Sequence, residues 1–253
     1  GQPDFPGDGK RNEIMQHDVT RPVASVDPGS HYDVVIVGAG ISGIGAAHHL
    51  REQCPNKRFV ILESKVSFGG TWRLHTYPGI RSDSDLHTFG YRFKPWSGKP
   101  IASGGAILDY LEEAIHDDRL EQCIRYRHEV MSAAWDSAAQ SWTLSVRVGD
   151  RPERVQYRCN FLWMCQGYYR HAQGYTPRWP GMETFKGPII HPQTWPKGLD
   201  YAGKRVLVIG SGATAATLIP NMADDCAHIT MLQRSPTYFW TGENRNELAE
   251  QLR

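Results

Sequence analysis

Twice in this chain a short apolar run leads directly into a glycine turn and a stretch of small residues, at Gly38-Ala39-Gly40-Ile41-Ser42-Gly43 and at Gly210-Ser211-Gly212-Ala213-Thr214-Ala215. That repetition limits the fold more than any other feature. In such a turn the first glycine permits a tight reversal, and the second lets the backbone approach a pyrophosphate. The third small residue lets a helix pack close against the strand. Strand, turn, helix and second strand make the βαβ unit of a parallel sheet. Two of them predict an α/β chain with two Rossmann-like dinucleotide-binding domains.

Apolar spacing places the remaining elements. Residues 1–30, rich in Gly, Pro and Asp and without periodicity, read as a flexible N-terminal arm. A strand is expected at Val34–Val37, a helix from Ile41 to Gln53 stopped by Cys54-Pro55, and a buried strand at Phe59–Leu62. Ser67 to Gly105 is aromatic and glycine-rich with little regular pattern, a kind of loop that is usually functional. A helix from Gly105 to Asp118 would put Ile107, Leu108, Leu111 and Ile115 on one face. Alternation at Glu129–Trp135 and Trp142–Val148 predicts an antiparallel hairpin, and Phe161–Cys165 a further buried strand. These elements make residues 31–168 the first domain and 169–203 a Pro-, Gly- and Trp-rich linker. Residues 204–253 start a second domain, with strands at Arg205–Ile209 and His228–Leu232.

The two turns differ in chemistry. In the first, the helix N-terminus offers unpaired N–H groups and a positive dipole to phosphates, and the Ser42 hydroxyl stands beside them as a further donor. Glu63 follows at the end of the second strand, where a carboxylate accepts hydrogen bonds from a ribose diol. NAD would satisfy these residues as well as FAD. The loop that follows, Gly69-Gly70-Thr71-Trp72 through Tyr77-Pro78-Gly79-Ile80-Arg81-Ser82-Asp83, is suggestive of a flat ring system, with glycines to lie against it and aromatics to wall it. The second turn ends its unit on Leu232-Gln233-Arg234-Ser235, with no acid where the first has Glu63. An arginine there can pair with a 2′-phosphate, which favours NADP(H) over NAD(H).

Between the turns lies Phe185-Lys186-Gly187-Pro188-Ile189-Ile190-His191-Pro192-Gln193-Thr194-Trp195-Pro196. It matches FxGxxxHxxxWP through Phe185, Gly187, His191, Trp195 and Pro196. With GGTW, YPGIRSD, GSGATA and QRSPT, it makes the chain from Tyr32 to Ser235 resemble the Baeyer–Villiger monooxygenases. The resemblance is to class B flavoprotein monooxygenases, and within them to the branch that activates thioamide prodrugs in mycobacteria. It implies an NADPH-dependent enzyme that uses FAD and O2 to insert one oxygen atom beside a ketone carbonyl, giving an ester or lactone, with oxygenation of sulfides as a related activity. By matching position it places Gly38, Gly40, Ser42, Gly43, Glu63, Gly70, Thr71, Trp72, Asp83 and the backbone near Met131 against FAD. Arg81 and Asp83 would be the catalytic pair near the flavin and nicotinamide. Gly210, Ser211, Gly212, Ala213, Thr214 and Ala215 with Arg234 and Ser235 would hold NADPH. His191, without a metal-spaced partner, reads as structural, and no metal is expected.

Family members are about twice as long. The resemblance therefore implies that the second domain and the C-terminal return of the first are incomplete here, and that Asp83 lacks an arginine partner. The chain ends in a polar, helix-prone segment, Glu247–Arg253, with no evident closing element. A fragment of a longer protein and one polypeptide of a split assembly both stay open. So do an N- or S-oxygenating flavin monooxygenase and a catalytically incomplete FAD/NADP-binding fragment. Composition narrows the rest. Five cysteines form no CxxC pair, which excludes a dithiol reductase and fits a reduced cytoplasmic setting. A net charge of +1 gives no pull toward nucleic acid. No apolar run reaches the roughly 18–20 residues of a membrane span, and the first thirty residues, with no h-region, do not read as a secretory signal.

Overall fold

A computed structural model describes residues 31–251, so the expected arm at residues 1–30 lies outside the described residues. The first unit runs β1 (His31–Val37), α1 (Ile41–Gln53), β2 (Phe59–Leu62), α2 (Thr71–Leu74), α3 (Leu86–Phe89), α4 (Gly104–Asp117), β3 (Ile124–Arg125), β4 (His128–Asp136), β5 (Ser141–Val148) and β6 (Arg154–Met164). Its strands form one sheet in the order β3-β2-β1-β6-β5-β4. β1 pairs parallel with β2 and β6, whereas β4, β5 and β6 run antiparallel.

β1 is apolar on both sides because both are covered. Val34 and Ile36 enter a core with Ile44, Leu111 and Ile115 of the helical layer. Val35 points the other way, into a core with Leu144, Val146 and Tyr157 of the meander. α1 packs through small residues, Gly43, Ala46 and Ala47, with Ile44 and Leu50. α4 is the expected amphipathic helix, started by Ser103, whose Oγ accepts from the Ala106 N–H at 3.2 Å.

Several elements depart from the sequence pattern. The aromatic loop contains two single-turn helices, α2 and α3, and the short β3 had no pattern to announce it. The expected strand at Phe161–Cys165 is the second half of the longer β6. Arg154–Cys159 pairs with β5, and Arg158–Met164 pairs with β1. That strand was expected to be buried, yet Phe161 is 58% exposed and Trp163, next along the same face, 37%, because no layer among the described residues covers that face.

The second unit is β7 (Arg205–Ile209), α5 (Ala213–Met222) and β8 (His228–Leu232), with β7 and β8 parallel. α5 covers one side through Ala215, Leu218 and Met222, while Leu207, Ile209 and Leu232 stay exposed. The chain then returns to the first unit, where no closing element was expected. Asn244 receives the Ile101 N–H and donates to its carbonyl, both at 2.8 Å, and Asn246 donates to Asp85 before the short α6 (Glu247–Gln251). Among the described residues no helix is long and apolar enough to cross a membrane.

His128, at the start of β4, is 1% exposed. Its Nδ1–H donates to the Tyr126 carbonyl at 2.7 Å, and Nε2 is buried without a partner among the described residues. Burial, aided by Arg125 and Arg151, pushes its pKa below the usual imidazole value. The unfolded chain therefore binds the proton first as pH falls. Stability is full above about pH 6.5 and erodes below it until the lowered folded value is reached, with a slope of at most about 1.4 kcal/mol per pH unit for one group. Urea midpoints should fall across that window, and His128→Gln should flatten the fall. An equally steep profile in the variant would remove His128 from the account.

Candidate functional site

Both glycine turns are built to receive an anion. α1 and α5 begin at Gly40 and Gly212, each extended, with no side-chain cap and no acid in the first turn. Their leading N–H groups are left for another acceptor. Gly38 adopts φ +104°, and a Cβ there would lie 2.6 Å from the Cys165 carbonyl oxygen. Gly69 N donates to the Ala39 carbonyl at 2.9 Å, which brings Gly70 against Gly40. At the second turn Gly210 adopts φ +119°, and among the described residues nothing lies within 4 Å of a Cβ built at Gly210 or Gly212.

Glu63 is buried at the C-terminal end of β2. Its Oε2 accepts from the Ala39 N–H, and its Oε1 from the Lys65 N–H, each at 2.8 Å. The carboxylate is thus fixed beside the first turn and keeps lone pairs for a diol. Met131 sits at a register shift between Val130 and Ser132, so it is the unpaired residue of a bulge in the β4–β5 ladder. Bulges free backbone groups and gather near functional sites.

The segment from Ile80 to Asp83 is extended and tied to the start of α4. Ser82 N donates to the Ala102 carbonyl, Gly104 N donates to the Ile80 carbonyl, and Arg81 bridges to Ser103. Alternation then sorts the side chains. Ser82 turns inward, 3% exposed, while its neighbours Arg81 and Asp83 turn outward together. They face a cleft of about 500 Å³ whose far wall is the second glycine turn and the start of α5. Among the described residues Asp83 accepts only a 3.4 Å hydrogen bond, from Ser84 Oγ.

This cleft gathers Thr71, Trp72, Arg81, Asp83, Gly210, Gly212, Ala213, Thr214 and Ala215, all singled out in the sequence. Ser42, Glu63 and Met131 do not line it; Glu63 is held beside the first turn. Arg234 and Ser235 also lie outside it, beyond β8, but Thr237 pins their segment to the second turn through a 2.6 Å hydrogen bond with Ser211. The linker signature is divided. His191 and Pro192 reach the cleft, Trp195 packs near Tyr201, and Phe185 and Gly187 are exposed. His191 Nδ1 accepts from the Gln193 N–H at 3.2 Å, so the imidazole caps a single turn.

Among the cleft residues that were not singled out are His75, Tyr77 and Tyr169. Their rings meet edge to face, His75 lying 5.7 Å from Tyr77 and 5.6 Å from Tyr169. Burial pushes the His75 pKa down and the Tyr77 pKa up. Tyr77 stood inside a quoted motif, but nothing local to it marked its role.

The sequence matches a flavin-binding monooxygenase-like family over residues 102–243 and an NAD(P)-binding Rossmann-like domain over residues 36–96. The FAD-containing monooxygenase EthA of Mycolicibacterium smegmatis is 55% identical over 210 residues, which are 82% of this chain and 42% of that protein. A probable FAD-binding monooxygenase AlmA of Acinetobacter sp. is 52% identical over 83% of this chain and 42% of its own length. Among solved structures, a steroid monooxygenase bound to NADP aligns with a TM-score of 0.70 at 34% identity, covering 83% of this chain and 40% of that one. Cyclohexanone monooxygenase from Rhodococcus sp. Phi1 bound to NADP+, as a triple mutant, aligns with a TM-score of 0.71 at 31% identity and the same coverage. The chain spans less than half the length of these relatives.

Proposed function

The chain belongs to the flavin-binding monooxygenase-like family, and from that premise we propose that it carries the FAD site and the pyrophosphate-binding start of the NADPH site of a Baeyer–Villiger monooxygenase. The reaction inserts one atom of O2 into a ketone to give an ester or lactone, with sulfur oxygenation at the same site. The observation that carries this reading is the cleft in which Arg81 and Asp83 of one unit face the glycine turn of the other. When bound, the two cofactors supply the redox chemistry, nicotinamide as hydride donor and flavin as acceptor and site of O2 activation.

The residues divide the remaining work. The turn at Gly38–Gly43, with Ser42 and the N-terminus of α1, receives the FAD pyrophosphate, and Glu63 holds its ribose. The unpaired backbone at Met131 is free to meet the adenine edge. Gly70, Thr71 and Trp72 wall the ring and limit water. Gly210–Ala215 takes the NADPH pyrophosphate, and Arg234 with Ser235 takes its 2′-phosphate. Arg81 orients the nicotinamide end by charge, while Asp83 supplies a carboxylate that a cationic partner can neutralise. Residues 31–168 act as the FAD unit, 169–203 as the linker and 204–253 as the start of the NADP unit. The five free cysteines suit a cytoplasmic protein.

The test is anaerobic. FAD is titrated into the chain, NADPH is added, and then air, with cyclohexanone and a thioether as probes. Bleaching of the visible flavin absorbance by NADPH, much faster than by NADH, is expected. Ester or sulfoxide formation would assign oxygen insertion to this chain. Hydrogen peroxide alone would limit it to hydride transfer. Absence of FAD binding or of bleaching would refute the reading.

A further inference from the structure

The end of α1 far from the first glycine turn holds an arrangement that the flavin reading does not use. His48 and Glu52 stand one turn apart there, with His49 between them in sequence. One ligand atom from each lies within 4.8 Å of those from the other two. His48 is the anchor. Its Nδ1 donates to Asp118 Oδ2 at 2.6 Å, where α4 ends, and Phe93 lies flat on the ring, with centroids 3.4 Å apart and planes 10° from parallel. With the ring proton held at Nδ1, Nε2 keeps a lone pair. That atom is buried, makes no hydrogen bond among the described residues, and lies 3.5 Å from Glu52 Oε2. Two acceptors so close repel each other unless a cation stands between them.

We propose that His48, His49 and Glu52 bind a divalent transition metal of the zinc class, with Asp118 as the outer partner that orients His48. Tetrahedral zinc bonds of about 2.0–2.1 Å set neighbouring ligand atoms about 3.3 Å apart, close to the 3.5 Å between His48 and Glu52. His49 is exposed, and to close the remaining gap its Nδ1 gives up a 3.5 Å hydrogen bond with the Gln53 amide. A proton between His48 and Glu52 would need no third donor atom, so the approach of His49 is what favours a metal. Imidazole nitrogen suits Zn2+, Ni2+ or Cu2+, whereas Mg2+ and Ca2+ prefer oxygen. Charge agrees. Glu52 and Asp118 outweigh Arg51, whose guanidinium donates to the Asp118 and Arg119 carbonyls. The C-terminal end of α1 is also the negative end of its dipole. The ion would fasten the last turn of α1 to the end of α4. Sequence alone predicts no metal, because Asp118 lies 70 residues from His48.

Calorimetric titration of the full chain with Zn2+ tests this. Asp118→Asn should weaken binding about 10- to 100-fold, the range for a lost outer partner. Removing a ligand, in His49→Ala or Glu52→Gln, should cost at least as much, and both residues are exposed, so these variants keep the fold. His116→Ala is the control. His116 stands 3.5 Å from Glu121 with no third ligand among the described residues, so its loss should leave Zn2+ affinity unchanged. Zn2+ but not Mg2+ should raise the urea midpoint of wild type, and neither should raise that of Glu52→Gln. Absence of Zn2+ uptake, or uptake that His49→Ala and Glu52→Gln leave unchanged, would overturn the site. A loss in His116→Ala as large as in those two variants would place the ion elsewhere and overturn it as well.

Discussion

Gly43→Ala should cost the chain about 3 kcal/mol or more of stability and with it the binding of FAD, the upper end of what overpacking a filled core does. A Cβ at Gly43 would lie 1.9 Å from the Gly38 carbonyl oxygen and 3.0 Å from its carbon, both backbone atoms. Neither can retreat. Gly38 is itself pressed against the Cys165 carbonyl, and β1 is held on both sides by β2 and β6. α1 would have to lift off the strand, exposing Ile44, Ala47 and Leu50. Helix propensity works in the opposite direction, since alanine is favoured over glycine inside a helix by about 1 kcal/mol. The sign of the change therefore decides between close packing and a merely permissive turn. Urea midpoints at constant m, with FAD fluorescence titration, read both effects. The second turn gives the comparison, because it carries Ala215 at the matching place, and Ala215→Gly should lose only about 1 kcal/mol. A Gly43→Ala protein as stable as wild type and still binding FAD would refute the packing argument.

Arg234→Ala should lower NADP+ affinity about 10- to 150-fold and leave NAD+ within about 2-fold, the effect of 1.5–3 kcal/mol for a hydrogen bond to a charged group. Three contacts support this. Gly210 N donates to the Leu232 carbonyl at 2.9 Å, β8 lies parallel beside β7, and Thr237 bonds Ser211 of the turn. Arg234, exposed, is thus carried on a segment fixed to the glycine turn. Its guanidinium matches a phosphate in shape as well as charge, so Arg234→Lys should restore only part of the affinity. Arg234→Glu should be worse than alanine, and the wild-type preference should weaken as salt rises. Equal losses for both nucleotides would make Arg234 a support of the turn and not a reader of the 2′-phosphate.

The chain's local chemistry was largely legible. Strand, glycine turn and small-residue helix are dictated by neighbours in sequence, through positive φ at Gly38 and Gly210 and the side-chain periods of strand and helix. The contrast between Glu63 and Arg234 could be read the same way, because each stands at the end of the second strand of its unit. The third meander strand was not, since Arg154, Gln156 and Arg158 carry polar side chains on the face that alternates with Val155, Tyr157 and Cys159, and no apolar run marks it. Nor was the bulge that frees Met131, which arises from register between two strands.

By itself the sequence determined that there are two glycine turns, that Glu63 follows the first unit and Arg234 the second, and what joins them. The tertiary structure alone decided that Arg81 and Asp83 of the first unit share a cleft with the second turn. Arg81 and Asp83 point together only because Ser82 is drawn into the core by Ala102, and they point at α5 only because Tyr77, Gly79 and Ile80 pack there. Such contacts join residues far apart in the chain, and their selection depends on which apolar faces close against each other. No local pattern encodes that choice, because the free energy that fixes it belongs to the whole packed interface.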